Sequence, residues 1–123
     1  MRVLGIDYGT KRIGIAIGDT ETKVSTPFSV VNSWEEVEKI INSEKIELAV
    51  VGMPYRMDGS PSEIGEKVKE FIKNFKIKTE IQDERFTTFA IEKLMKGYGD
   101  SKKGIDKDSA AASLILQTWL DKL

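Results

Sequence analysis

The first third of the chain alternates apolar runs with short polar turns. Two β-branched apolar runs, at residues 2–8 and 12–18, are separated by the letters GTKR, and this pattern predicts a β-hairpin. A third run, residues 23–31, predicts another strand. Its Pro27 indicates a sheet edge or a β-bulge, because proline cannot donate a backbone hydrogen bond. The chain is therefore expected to begin with three strands that can pair in antiparallel fashion.

After these strands the spacing of apolar residues changes to that of a helix. Ser33 and Glu36 form a capping box in front of a helical apolar stripe. Residues 47–52 then form a continuous apolar run, which is typical of a buried parallel strand. Ser60, followed by Pro61, predicts the start of a second helix. This part of the chain is therefore expected to contribute one helix, one buried strand and another helix.

The rest of the chain adds one strand and two helices to the predicted fold. The expected positions are a fifth strand at residues 76–83, a third helix around residues 91–98, and a last helix from about Asp108 towards Leu123. The predicted order is βββαβαβαα. This order is typical of an α/β fold with a five-stranded mixed sheet flanked by helices. The length of 123 residues fits one domain, residues 1–123.

Composition limits the classes of function. The 19 basic and 20 acidic residues give a net charge of −1, so a nucleic-acid surface would have to be a local patch. The chain has no cysteine, which excludes disulfides and thiolate zinc sites and fits a reducing compartment. The N-terminus does not resemble a signal peptide, and no run approaches the roughly 18 apolar residues of a membrane span. We expect a soluble cytoplasmic protein without a membrane partner.

The chain also has no histidine. This absence removes the commonest general base, the Ser-His and Cys-His nucleophilic pairs, and all metal sites that use histidine ligands. If the protein is an enzyme, carboxylates must therefore carry most of its chemistry.

Several acidic residues lie at the ends of predicted elements. Asp7 ends the first strand, Asp83 and Glu84 end the fifth, and Asp108 opens the last helix. Two of these positions have a structural alternative: Asp7 could be a turn residue, and Asp108 or Asp106 could be a helix N-cap. Acids brought to one sheet edge in a chain without histidine favour hard cations, one or two Mg²⁺ or Mn²⁺ ions. Such ions support phosphodiester hydrolysis.

Four segments together resemble the YqgF family, whose members are named both as pre-16S rRNA nucleases and as Holliday junction resolvases. The segments are GIDYGTKRIGIAIGD, VVGMPYRMDGS, DERFTT and DSAAASLILQ. The resemblance implies a ribonuclease H-like fold, as in the junction resolvase RuvC. It also implies that Asp7, Glu84 and Asp108 are the catalytic and metal-binding acids. Strict strand alternation instead places Asp83 in line with Ile81, so Asp83 is kept as a second candidate.

Five further residues are candidate contacts to nucleic acid. Lys11, Arg12 and Arg85 are expected near the same sheet edge, where they would hold phosphates. For Lys11 and Arg12, solvated surface charge is an equal alternative. Tyr55 would stack on a base and Arg56 would bind a phosphate, although their loop could equally be an ordered connection without a ligand.

A local excess of basic residues gives a further candidate surface. Between residues 85 and 107 the basic residues outnumber the acidic ones, so this segment is the best candidate for a nucleic-acid face.

Three functions are compatible with this reading. The first is a monomeric metal-dependent endonuclease that processes the 5′ end of pre-16S rRNA in ribosome biogenesis, with the pre-ribosome as a further partner. The second is a Holliday junction resolvase, which would need a dimer to make two symmetric cuts. The third is a catalytically inactive RNA-binding assembly factor. A sugar-kinase-like phosphotransferase is disfavoured, because such proteins close two domains around ATP and need a much longer chain.

Overall fold

A computed structural model describes residues 1–85 and 106–123, and these residues form one sheet with helices on both faces. The elements are β1 (Arg2–Tyr8), β2 (Ile13–Asp19), β3 (Val24–Val31), α1 (Trp34–Ser43), β4 (Leu48–Met53), α2 (Glu63–Ile72), β5 (Lys78–Asp83) and α3 (Lys107–Leu120). They confirm the five predicted strands and three of the predicted helices. The helix predicted around residues 91–98 lies outside the described residues, as does most of the basic segment 85–107.

The sheet is mixed, as predicted, with the strand order β3-β2-β1-β4-β5. β2 pairs in antiparallel with both β1 and β3, whereas β4 runs parallel to both β1 and β5. β3 is an edge strand, and its register against β2 shifts between Ile15, which pairs with Ser29, and Ala16, which pairs with Pro27. Both expectations for Pro27, a sheet edge and a bulge, are therefore confirmed.

Each face of the sheet has its own hydrophobic core. On one face, Leu4 and Ile6 of β1 pack with Val37 of α1 and Val68 of α2. On the other face, residues such as Val3 pack with Ala112, Ile115 and Leu116 of α3. Successive strand residues point to opposite faces of the sheet. The residues of β1 that alternate with Val3, namely Gly5 and Asp7, therefore point to the face that α3 covers. Of the candidate acids, Asp7 lies on this face.

Local side chains set where the helices begin. Ser33 caps α1 as predicted, since its hydroxyl accepts a hydrogen bond from the backbone N–H of Glu36. The prediction that Ser60 caps α2 is wrong: the cap is Ser62, whose hydroxyl accepts from the N–H of Gly65 at 3.0 Å. Ser60 instead donates its backbone N–H and its hydroxyl to Asp58, so its side chain is used in a turn before the helix.

The start of α3 resolves an alternative that the sequence left open. Asp106 is the N-cap, and its side chain accepts a hydrogen bond from the backbone N–H of Asp108 at 2.7 Å. Asp108 therefore lies in the first helical turn, where its carboxylate is not needed as a cap. Among the helices of the described ranges, none is long and apolar enough to cross a membrane.

Candidate active site

Asp7 lies near the end of β1 on the sheet face that α3 covers. It follows Val3 and Gly5 at alternate positions, and in the ladder it pairs with Gly14 of β2. A side chain on Gly14 would collide with the backbone carbonyl of Asp108. The absence of a side chain at Gly14 therefore lets the first turn of α3 rest directly on the strand beside Asp7.

Glu84 reaches the same place from β5. The parallel ladder continues one step past the strand, because the backbone N–H of Glu84 donates to the carbonyl of Met53 at 3.2 Å. Gln82 is buried, and alternation places Glu84 on the same face. A Cβ on Gly52 would lie 2.9 Å from Glu84 Oε2. Gly52 of β4 therefore provides the space in which the Glu84 carboxylate lies.

Asp83 does not join this pair. Its carboxylate accepts hydrogen bonds from the backbone N–H of Arg85 at 2.9 Å and from Arg85 Nε at 2.8 Å. Desolvation acts to raise the pKa of Asp83, but the hydrogen bonds and charge of Arg85 outweigh it, so the pKa lies below its ordinary value. Alternation places Asp83 in line with Ile81, as expected from the sequence. That line belongs to the opposite face of the sheet from Asp7.

The carboxyl groups of Asp7 and Glu84 are half-buried and lie close enough for each to shift the pKa of the other. Burial, and next the negative charge of Asp108, raise the pKa of Asp7 to about 6, although the hydrogen bond with Glu84 acts to lower it. Burial raises the pKa of Glu84 to about 8, and the charge and hydrogen bond of Asp7 and the charge of Asp83 add to the effect. Both pKa values are raised because the two carboxyl groups are desolvated and repel each other when both are ionised, which favours one proton shared by the pair.

Asp108 lies close enough to influence this pair but has a partner of its own. Its carboxylate forms an ion pair with Arg12, with 2.9 Å between Asp108 Oδ2 and Arg12 Nε. Its charge contributes to the raised pKa of Asp7. The structure thus brings Asp7 and Glu84 into contact and leaves Asp108 beside them, facing Arg12.

The basic candidates have different surroundings. Arg12 contacts two acids at the start of α3, Asp106 as well as Asp108. Its neighbour Lys11 is exposed in the turn between β1 and β2, and no ion pair among the described residues includes it. Arg85 is engaged with Asp83 and also donates from Nη1 to a backbone carbonyl at 3.4 Å. Of these three side chains, that of Lys11 is the one held by no ion pair within the described ranges.

The loop after β4 has a defined shape. The backbone N–H of Arg56 donates to the carbonyl of Ser60 at 2.9 Å, and the N–H of Gly59 donates to the carbonyl of Arg56 at 2.7 Å. Gly59 has a φ of 89°, which favours glycine. Tyr55 is half-buried against the core below α1 and α2, whereas the Arg56 side chain is exposed. Arg56 is therefore open to a ligand, and part of the Tyr55 ring is already covered by the protein.

The chemistry of the acids fits a divalent cation in part. Asp7 and Glu84, whose pKa values are both raised, offer the hard oxygen donors that Mg²⁺ or Mn²⁺ prefers, and such ions bind in place of protons. Within residues 1–85 and 106–123, however, no group of three or more acidic side chains is arranged to hold a metal ion. Asp7 and Glu84 are candidate ligands, and Asp108 lies close enough for its charge to act on Asp7.

Sequence comparison finds relatives over nearly the whole chain. Residues 1–122 match the RuvX family, whose description is Holliday junction resolvase. A protein of Christiangramia forsetii named "Putative pre-16S rRNA nuclease" is 40% identical over an alignment of 131 positions, gaps included, which covers 97% of each chain. A protein of the same name from Pseudomonas paraeruginosa is 36% identical over an alignment of 130 positions, which covers 96% of this chain and 90% of the relative. The range that matches the family, residues 1–122, thus spans the whole sheet and α3.

Structural comparison identifies the fold. Fowlpox virus resolvase, in complex with substrate Holliday junction DNA, has a TM-score of 0.65 at 14% identity, covering 99% of this chain and 98% of its own. RuvC of T. thermophilus, in complex with a Holliday junction substrate, has a TM-score of 0.61 at 15% identity, covering 99% and 95%. At this level of identity the likeness concerns the fold alone. It confirms the predicted ribonuclease H-like fold.

Proposed function

Because this chain belongs to the RuvX family, we propose that it is a metal-dependent endonuclease that hydrolyses a phosphodiester bond at the 5′ end of pre-16S rRNA. The observation that carries the proposal is the half-buried pair of Asp7 and Glu84, with raised pKa values, in a chain that has no histidine. The names of the relatives support RNA as the substrate.

In this proposal the acids hold the cofactor rather than attack the substrate. One or two Mg²⁺ or Mn²⁺ ions, when bound, would supply the positive charge that favours attack by water and stabilises the leaving oxygen. Asp7 and Glu84 would hold the metal, and Glu84 would release its proton as the metal binds. Asp108 would complete the ligand set from the first turn of α3.

The proposed substrate contacts are the exposed basic side chains around this edge of the sheet. Lys11, in the turn after Asp7, and Arg56, in the loop after β4, are exposed and would contact phosphates. Tyr55 would offer the uncovered part of its ring to an unpaired base. With a net charge of −1, binding would depend on such a local patch rather than on the whole surface. We place this reaction in the cytoplasm, with the pre-ribosome as a partner.

Junction resolution is the second candidate, because the description of the matched family is Holliday junction resolvase. A resolvase must make two symmetric cuts and therefore needs a dimer that presents two sites to one junction. We favour the RNA reaction and a monomer. The oligomeric state and the symmetry of cleavage distinguish these two functions.

A cleavage assay with two substrates tests the proposal. The substrates are a single-stranded RNA that spans the 5′ end of 16S rRNA in its precursor and a four-way DNA junction, each with Mn²⁺ or Mg²⁺. The proteins are the wild type and the Asp7→Asn variant. The asparagine side chain has a shape similar to that of aspartate but carries no charge. We expect the wild type to cut the RNA once, and we expect no cleavage by Asp7→Asn or after chelation of the metal.

The alternative functions give different results in the same assay. Symmetric cleavage of the junction by a stable dimer would establish the resolvase. RNA binding without cleavage of either substrate would indicate an inactive assembly factor. Equal cleavage by the wild type and Asp7→Asn would mean that the active site is not the one described above.

A further inference from the structure

Arg12 connects the turn between β1 and β2 to the start of α3. Its Nη2 donates to Asp106 Oδ2 at 2.8 Å, and its Nε lies 2.9 Å from Asp108 Oδ2. These two nitrogens form one edge of the planar guanidinium group, a fork that fits carboxylate oxygens. A single edge of Arg12 thus holds two carboxylates from the opposite end of the chain.

Both sides of this contact are anchored by the backbone. The turn that carries Arg12 is closed by a hydrogen bond from the Gly9 N–H to the Arg12 carbonyl at 2.9 Å. On the other side, Asp106 Oδ1 accepts from the Asp108 N–H at 2.7 Å, and the Asp108 carbonyl packs on Gly14. Arg12, Asp106 and Asp108 therefore form a closed set of contacts between two fixed pieces of backbone.

We propose that Arg12 is a positioning residue that orients the Asp108 carboxylate towards Asp7, rather than a residue that binds substrate phosphate. This inference rests on the proposed function, in which Asp108 is a metal ligand. Arg12 holds Oδ2 of Asp108, so Oδ1 is the oxygen that would turn towards the metal. Without that hold, the Asp108 side chain, which is 33% exposed, is free to turn towards solvent.

The negative charge at this edge gives a second reason for the role. Asp106 and Asp108 place two negative charges next to each other at the start of α3, where the carboxylates repel each other. The guanidinium of Arg12 contacts both carboxylates and offsets part of this repulsion. Residues that orient metal ligands in this way typically contribute about 10- to 100-fold in metal affinity or activity.

Three variants separate positioning from phosphate binding. Arg12→Gln removes the charge and the fork, and Arg12→Lys keeps the charge but offers a single ammonium group in place of the fork. Lys11→Gln is the matched control, because it removes one positive charge from the same turn. A lysine can still bind a phosphate as a point charge, so Arg12→Lys distinguishes the two roles most sharply.

The measurements are Mn²⁺ affinity by calorimetry, hydrogen exchange of the Asp108 amide, RNA affinity over a range of salt concentrations, and the single-turnover cleavage rate. For Arg12→Gln and Arg12→Lys we expect Mn²⁺ affinity and cleavage rate to fall about 10- to 100-fold, with faster exchange at Asp108 and near wild-type RNA affinity. For Lys11→Gln we expect weaker RNA binding, with Mn²⁺ affinity and amide exchange unchanged.

The opposite pattern would overturn the inference. If Arg12 binds phosphate, Arg12→Gln weakens RNA binding and reduces the slope of log affinity against log salt by about one, Arg12→Lys restores both, and exchange at Asp108 does not change. Failure of the proposed function gives a different result: the wild type cuts no RNA and binds no Mn²⁺. In that case hydrogen exchange of the Asp108 amide still tests the positioning role of Arg12. An exchange rate in Arg12→Gln equal to that of the wild type would exclude this role.

Discussion

Asp7→Asn is expected to stabilise the protein while it abolishes the proposed activity. Burial is the main reason that the pKa of Asp7 is raised from 3.8 to about 6. At about 1.36 kcal/mol per pH unit, this shift means that ionised Asp7 costs the folded chain about 3 kcal/mol. Asparagine has a similar shape, carries no charge, and can accept the hydrogen bond from protonated Glu84. The substitution therefore removes the cost without removing the contact.

The size of this gain in stability depends on pH. Between about pH 4 and 6 the folded wild type binds more protons than the unfolded chain, because the pKa of Asp7 is higher in the folded state. Wild-type stability therefore falls as pH rises through this window. The asparagine side chain of the variant does not titrate. The advantage of the variant should therefore be near zero at about pH 4 and approach about 3 kcal/mol, as an upper limit, above about pH 7.

Urea unfolding at several pH values, with a chelator present, measures this difference. Asp83→Asn is the matched control: the pKa of Asp83 is lowered, so its replacement should bring no gain at high pH. Adding Mg²⁺ should narrow the gap, because the ion stabilises the wild type by binding to its folded state. An Asp7→Asn variant that is less stable than the wild type at every pH, or a gap that does not change with pH, would refute the reasoning.

Three further predictions concern the same site. Gly52→Ala should slow cleavage and destabilise the fold by about 1–3 kcal/mol, because its Cβ would lie 2.5 Å from Ile115 Cδ1 and 2.9 Å from Glu84 Oε2; a wild-type rate and wild-type urea midpoint would contradict the described packing. Mn²⁺ affinity by calorimetry should fall about tenfold per pH unit from about pH 8 to 6, because the ion displaces the proton shared by Asp7 and Glu84; an affinity independent of pH would exclude these ligands. Glu84→Gln should abolish cleavage and Asp83→Asn should leave it near the wild-type rate; the reverse order would return Asp83 to the site.

Much of the fold is predictable from the sequence because it depends on local patterns. The β-branched apolar runs at residues 2–8 and 12–18 and the apolar run at 47–52 predict β1, β2 and β4, and Pro27 predicts an edge or a bulge in β3. The N-cap of α2 was missed because Ser60 and Ser62 flank the same proline. The choice between them depends on Asp58, which accepts both hydrogen bonds that Ser60 donates.

The site is less predictable because it depends on contacts that are distant in sequence. Asp7 stands out as a carboxylate at the end of a buried strand. The choice between Asp83 and Glu84 requires knowing which sheet face the last helix covers, and alternation within one strand does not contain that information. Gly52, opposite Gln82 in the register, is the signal that would have favoured Glu84, since it leaves space on that face.

Arg12 shows the same limit for a charged side chain. The sequence leaves phosphate binding and solvated surface charge as alternatives for it. Its partners, Asp106 and Asp108, are known only once α3 is packed on β2. The structure therefore changes the interpretation of Arg12 from a candidate phosphate contact to a residue that forms ion pairs with two acids.

A crystal of the protein soaked in Mn²⁺ tests the central claim most directly, because manganese gives anomalous scattering that locates the ion. We predict anomalous density between the carboxylates of Asp7 and Glu84, with one oxygen of Asp108 turned towards it and Arg12 still on the other oxygen. Density at Asp83, or no density between Asp7 and Glu84 under conditions in which the protein cleaves RNA, would contradict the account.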